Sequence, residues 1–113
     1  MRRIDATFPS RWLDGVMDAV RALRVPHEMS AFEVRFATRD APREEIYRGA
    51  TYLMRWETRT RLEIYVADRD ADEVLRVVLA VFADESRLGG LVAVSRVEDA
   101  IQIRTEQRGE YAL

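Results

Sequence analysis

EEIYRGATYLMRWETRTRLEIYVAD, residues 44–68, joins two different textures. From 60 to 68 the pattern alternates: Leu62, Ile64 and Val66 point to one side, Arg61, Glu63 and Tyr65 to the other. That is a half-buried strand. The YRGATY before it, with Tyr47, Arg48, Gly49 and Tyr52, fits neither a strand nor a helix period. A glycine among aromatic and basic residues, feeding a regular strand, predicts a loop that reaches outward. Function concentrates on such loops when a rigid scaffold holds them. The connection as a whole, residues 37–58, also holds the charged run RDAPREE, broken by Pro42. Two residues suffice to join antiparallel neighbours. A connection this long inside a compact domain is therefore either functional or without fixed structure.

Working outward, residues 3–8 alternate with Ile4, Ala6 and Phe8 on one face, a first strand. Ser10, after Pro9, is placed to cap a helix. RWLDGVMDAVRALR then aligns Trp12, Val16, Ala19, Val20 and Leu23 on one stripe at helical spacing. Val25-Pro26-His27 ends it, and 29–36 reads as a second strand, with Phe32, Val34 and Phe36 opposite in sense to Glu33 and Arg35. Beyond the central stretch, Asp70 and Glu73 suggest a capping box with Asp in place of Ser or Thr. A second helix buries Val74, Val77, Val78, Val81 and Phe82. A glycine turn at 87–90, a fourth strand at 91–94, a short fifth at 101–105 and a polar tail at 106–113 complete the chain.

The order β-α-β, long loop, β-α-β predicts an α+β, ferredoxin-like βαββαβ fold in a single domain, 1–113. The halves echo each other: Asp14-x-Val16-x3-Val20 matches Asp72-x-Val74-x3-Val78. Both helices would cover one face of a four-stranded antiparallel sheet. Arg3, Asp5, Glu33, Arg61, Glu63 and Tyr65 would be left on the other, a face of mixed charge suited to solvent or to packing against copies of the chain.

Composition narrows the chemistry. Apolar residues make up 48% and charged residues 34%, enough to bury a core and keep a polar surface. A net charge of −2 gives no broad grip on nucleic acid. There is no cysteine, hence neither a disulfide framework nor a thiolate nucleophile. MRRIDATF lacks the apolar segment of a signal peptide, and the longest apolar run, 77–83, is too short to cross a bilayer. A cytoplasmic protein without membrane insertion is expected. All 18 basic residues are Arg, and Asn is absent.

No enzyme chemistry stands out. His27 is the only histidine, so no metal site is expected. No Ser-His pairing is evident. An acylphosphatase-like reaction on this fold would need an Asn to orient water. RNA recognition would need adjacent aromatics on the sheet face, and Tyr65 alone qualifies. Glu44-Glu45 and Glu98-Asp99 read as solvated. Anion binding remains: Arg59, Arg61, Arg104 and the unhindered backbone of Gly89-Gly90 suit phosphate or carboxylate. The competing reading gives Arg61 and Arg104 to structural ion pairs with Glu63 or Glu106.

Three blocks, in order along the whole chain, resemble the P-II signal-transduction family. MRRIDATFPSRWLDGV resembles its opening strand and helix, YRGATY and RLEIYVAD its T-loop and following strand, and VSRVEDAIQIRTEQRGEYAL its C-terminal block. The resemblance implies a homotrimer of ferredoxin-like subunits that binds adenine nucleotides in the clefts between subunits. Its T-loop, residues 37–58, would dock onto a protein partner, an enzyme or a membrane transporter. By the same resemblance Ser30 falls where the family contacts adenine. Arg59 falls at a basic position near the cleft, Gly89 and Gly90 within the phosphate-binding B-loop, 85–91, and Arg104 at the second Arg of an Arg-x-Arg motif. Tyr52 matches a tyrosine that some members modify, Tyr47 is a second exposed phenol, and Arg48 and Gly49 complete the loop signature.

Departures from the family pattern set the ligand expectation. Leu88-Gly89-Gly90-Leu91 stands for Gly-Asp-Gly-Lys, so Leu91 replaces a cation; Gln102 replaces the first Arg of Arg-x-Arg. Phe36-Ala37-Thr38 and Asp40 stand where relatives hold magnesium-ATP and 2-oxoglutarate, with Arg39 and Arg87 as compensating anion ligands. The resemblance therefore implies ADP or AMP as ligand, with bicarbonate as a second, as in the carboxysome-associated subgroup, and no bound cofactor. The alternative is a trimer that has lost nucleotide binding and acts only as an interaction module.

Overall fold

The computed structural model describes residues 1–37, 56–85 and 89–113. Four strands, β1 (Arg2–Phe8), β2 (His27–Ala37), β3 (Trp56–Val66) and β4 (Leu91–Arg96), form one antiparallel sheet in the order β2-β3-β1-β4. Helices α1 (Leu13–Ala22) and α2 (Asp68–Val81) follow β1 and β3. This is the βαββαβ ferredoxin-like arrangement.

The period-2 pattern places the core. Register pairs Ile4 with Ile64 and Ala6 with Leu62 across β1 and β3. These residues are fully buried with Phe8 and Val66 beneath Val16 and Val20 of α1 and Val74 and Val78 of α2. Rings of Phe8 and Trp12 both pack on Phe82, with centroids 5.5 and 5.6 Å away. The opposite face carries Arg3, Asp5, Arg61, Glu63 and Tyr65, where Arg3 donates to Asp5 at 3.1 Å and Arg61 to Thr7 Oγ1 at 3.2 Å.

Glu33 does not share that open face. Register sets Glu33 opposite Thr60 and Arg35 opposite Thr58, on the helix side, and turns Phe32, Val34 and Phe36 to the open face. The reason is length. The 10 residues of α1 cover about 15 Å, whereas the 11 residues of β2 span about 36 Å. Beyond Met29 no described helix covers that side of β2, and Ala31, Glu33 and Arg35 are exposed there.

Three further expectations are corrected. Ser10 opens a short 3-10 turn, Ser10–Trp12, and caps nothing; its hydroxyl instead accepts from Thr60 Oγ1 at 2.7 Å. Helix α2 starts two residues before Asp70, with Ala67 at its cap and no side-chain cap bond, so the Asp70–Glu73 box is not formed. Residues 101–105 are not a strand. One bridge, Ile101 to Arg108, closes a turn in which Glu106 takes a positive φ of 59°. Both outer strands, β2 and β4, have a strand neighbour on one side only among the described residues.

Candidate functional site

Arg59 lies near the start of β3, on the open face. Alternation puts Glu57 and Arg59 on the same side of the strand, and register puts Phe36 directly across from Glu57. The Arg59 guanidinium carbon stands 4.0 Å from the Phe36 ring centroid, within cation–π range. Nε and one terminal nitrogen donate to Glu57 Oε2 at 3.4 and 3.2 Å, and the other terminal nitrogen donates to the Gly89 carbonyl. For an arginine, 8% exposure is little. On the helix side of the same stem, Arg35 lies over Trp56 at 5.2 Å. One cation–aromatic pair thus sits on each face where the long connection leaves the sheet.

The glycine turn approaches β1 closely. A Cβ on Gly90 would stand 2.5 Å from the carbonyl oxygen of Thr7, whereas one on Gly89 would meet nothing nearer than Arg59 at 4.0 Å. The structure therefore brings Arg59, Gly89 and Gly90 together, with the basic group donating to the Gly89 carbonyl. Ser30 shares the open face, exposed and opposite Glu63. Four register positions separate it from Val34, the partner of Arg59, a span of roughly 13 Å along the ladder.

Arg104 is not brought to this group. It is exposed on the C-terminal turn and makes no ion pair among the described residues, and the structural pairing with Glu106 is likewise not formed. Nor is Arg61 paired with Glu63; its partner is Thr7. Gln102 serves the turn itself: its side-chain amide donates to the Ala112 carbonyl at 3.0 Å, and its backbone N–H to Gln107 O at 2.9 Å. Asp99 holds the other end, accepting from Arg108 Nε at 2.9 Å; that hydrogen bond holds its carboxyl below the usual range. Arg39, Asp40, Tyr47, Arg48, Gly49, Tyr52 and Arg87 lie outside the described residues.

Sequence reading missed two partners of Arg59, Glu57 and Phe36. The signal for Glu57 was available, since residues two apart on a strand share a face. It also missed an open apolar groove of about 450 Å³ beside Gly90, lined by Phe8, Leu75, Leu79, Phe82 and Val92. Among the described residues no cluster of three His, Asp or Glu is placed to hold a metal, and no helix is long and apolar enough to cross a membrane.

No family model matches the chain. Individual proteins do. It is 30% identical over 113 residues to the nitrogen regulatory protein P-II of Cereibacter sphaeroides, covering all of both chains. It is 31% identical over 114 residues to that of Haemophilus influenzae, again over the full length of both. Among solved structures, B. subtilis GlnK superposes with a TM-score of 0.80 over 99% of this chain and 97% of that one, at 20% identity, a likeness of fold. Full-length matches at this identity, on a sheet with the same strand and helix order, make the chain a member of the nitrogen regulatory protein P-II family.

Proposed function

We propose that the chain is a regulatory signal-transduction subunit that works as a homotrimer. It takes an adenine nucleotide, ADP or AMP before ATP, in the clefts between subunits, and reports through the 37–58 connection to a protein partner. One observation carries this reading: a guanidinium, Arg59, docked on Gly89 beside Gly90 on the face that also presents Ser30. Such a pairing suits a phosphate. Arg104, exposed on the C-terminal turn, is available to a neighbouring copy. The preference for fewer phosphates follows from charge. Leu91 is 67% exposed and apolar where relatives place a cation, and Gln102 is committed to its own turn. Charge-assisted bonds contribute roughly 1.5–3 kcal/mol each, so losing two weakens a triphosphate by a hundredfold or more.

Calorimetry with AMP, ADP and magnesium-ATP, each with and without 2-oxoglutarate and bicarbonate, tests the reading. AMP or ADP is expected to bind at least as well as ATP, with no gain from 2-oxoglutarate. Tight magnesium-ATP binding enhanced by 2-oxoglutarate overturns it. A second reading, a trimer that binds partners but no nucleotide, is favoured by the engagement of Arg59 with Glu57. In that case no nucleotide binds and Arg104→Ala leaves partner binding intact.

A further inference from the structure

Guanidinium groups recognise carboxylate and phosphate through a pair of parallel N–H groups on one edge. In Arg59 that edge, Nε with its neighbouring terminal nitrogen, already points at a single oxygen of Glu57. The remaining terminal nitrogen is held by the Gly89 carbonyl, and Phe36 covers one flat side. The two partners are unequally fixed. The Arg59 side chain is 10% exposed and wedged between a ring and a turn; that of Glu57 is 52% exposed. The contacts, 3.2 and 3.4 Å, are long for a charge-assisted pair, which settles at about 2.7–2.9 Å.

We propose that Glu57 is a built-in competitor for the anion site at Arg59. Its carboxylate takes the guanidinium edge that a ligand phosphate takes, and it swings into solvent when the ligand arrives. Because Gly89 is held by the other nitrogen, that contact stays in place during the exchange. The competition lowers anion affinity and so raises the ligand concentration at which the site is half filled. This rests on the nucleotide reading for the identity of the ligand, though not for the competition itself. The expected magnitude is that of a half-exposed ion pair, a factor of up to about five in the binding constant, with added repulsion between carboxylate and phosphate.

The test compares wild type, Glu57→Gln and Glu57→Ser by calorimetry, with ADP and, separately, inorganic pyrophosphate, and checks folding by thermal melting. Both variants are expected to bind both probes up to about fivefold more tightly than wild type, and adding Arg59→Gln to either is expected to remove the gain. Unchanged or weaker affinity for both probes, with wild type binding ADP, overturns the competition and leaves the nucleotide reading standing. A gain for pyrophosphate with no ADP binding by any variant supports the competition and removes the nucleotide reading. If Glu57→Gln and Glu57→Ser fold and bind neither probe, the competition is overturned.

Discussion

Gly90 and Gly89 are neighbours with opposite demands. At Gly90 a methyl group would meet the backbone of Thr7 at 2.5 Å, and a backbone oxygen in a strand cannot rotate away. At Gly89 the nearest atom is the end of a flexible arginine. Gly90→Ala is therefore expected to cost about 1–3 kcal/mol, and Gly89→Ala to stay within about 0.5 kcal/mol, both read from urea unfolding. Arg59, Gly89 and Gly90 could be nominated from the sequence because bare backbone and guanidinium are recognisable chemistry. Their contact could not, since thirty residues separate Arg59 from Gly89 and only the folded sheet joins them. Gln102 illustrates the opposite case. The resemblance assigned it a place in a binding motif, while the amide's bond to Ala112 depends on a turn that no local pattern specifies.

Periodicity made the elements legible but not their sides. β1, the 60–66 part of β3 and the bodies of both helices stand where alternation and helical spacing put them, because each buries one stripe in a single core. β2 misled: Phe32, Val34 and Phe36 look like a core stripe, yet the strand outruns the helices and these residues face the open side. Residues 56–59 carry polar side chains on both faces save Trp56, so pairing with β2, and not a hydrophobic pattern, extends β3 to Trp56. Because Ala37 is opposite Trp56, replacing residues 38–55 with a two-residue Asn-Gly turn is expected to keep the fold and the melting temperature and to abolish partner binding. Unfolding of that variant would show that the connection supports the sheet. The C-terminal turn carries a pH-dependent link of its own. Arg108 lowers the Asp99 carboxyl below its unfolded value. Its contribution is present above that unfolded value, about 3.9, and is lost as pH falls through the depressed folded one. Protection of the Ala100 and Gly109 amides, relative to the intrinsic exchange rate at each pH, is expected to fall below about pH 4, and Asp99→Asn to show the lower protection already at neutral pH.

At the scale of the molecule, the open face is the larger puzzle. It mixes Arg3, Asp5, Arg61 and Glu63 with Phe32, which is 44% exposed, a combination suited to burial against copies of itself. The proposed trimer predicts, by light scattering, a mass three times the 13.1 kDa of one chain. Phe32→Glu is expected to shift that mass toward the monomer without changing the helix content by circular dichroism. A stable wild-type monomer at micromolar concentration would contradict the assembly. The two outer strands carry a further consequence. Among the described residues each has a row of amides and carbonyls without a strand partner along one side. A chain that fails to bury its open face against its copies leaves such a row ready to recruit the next chain without end. Refolding at rising protein concentration is thus a race between closure and fibrous growth, and Phe32→Glu, which slows closure, should be checked for thioflavin-positive material before its mass is interpreted.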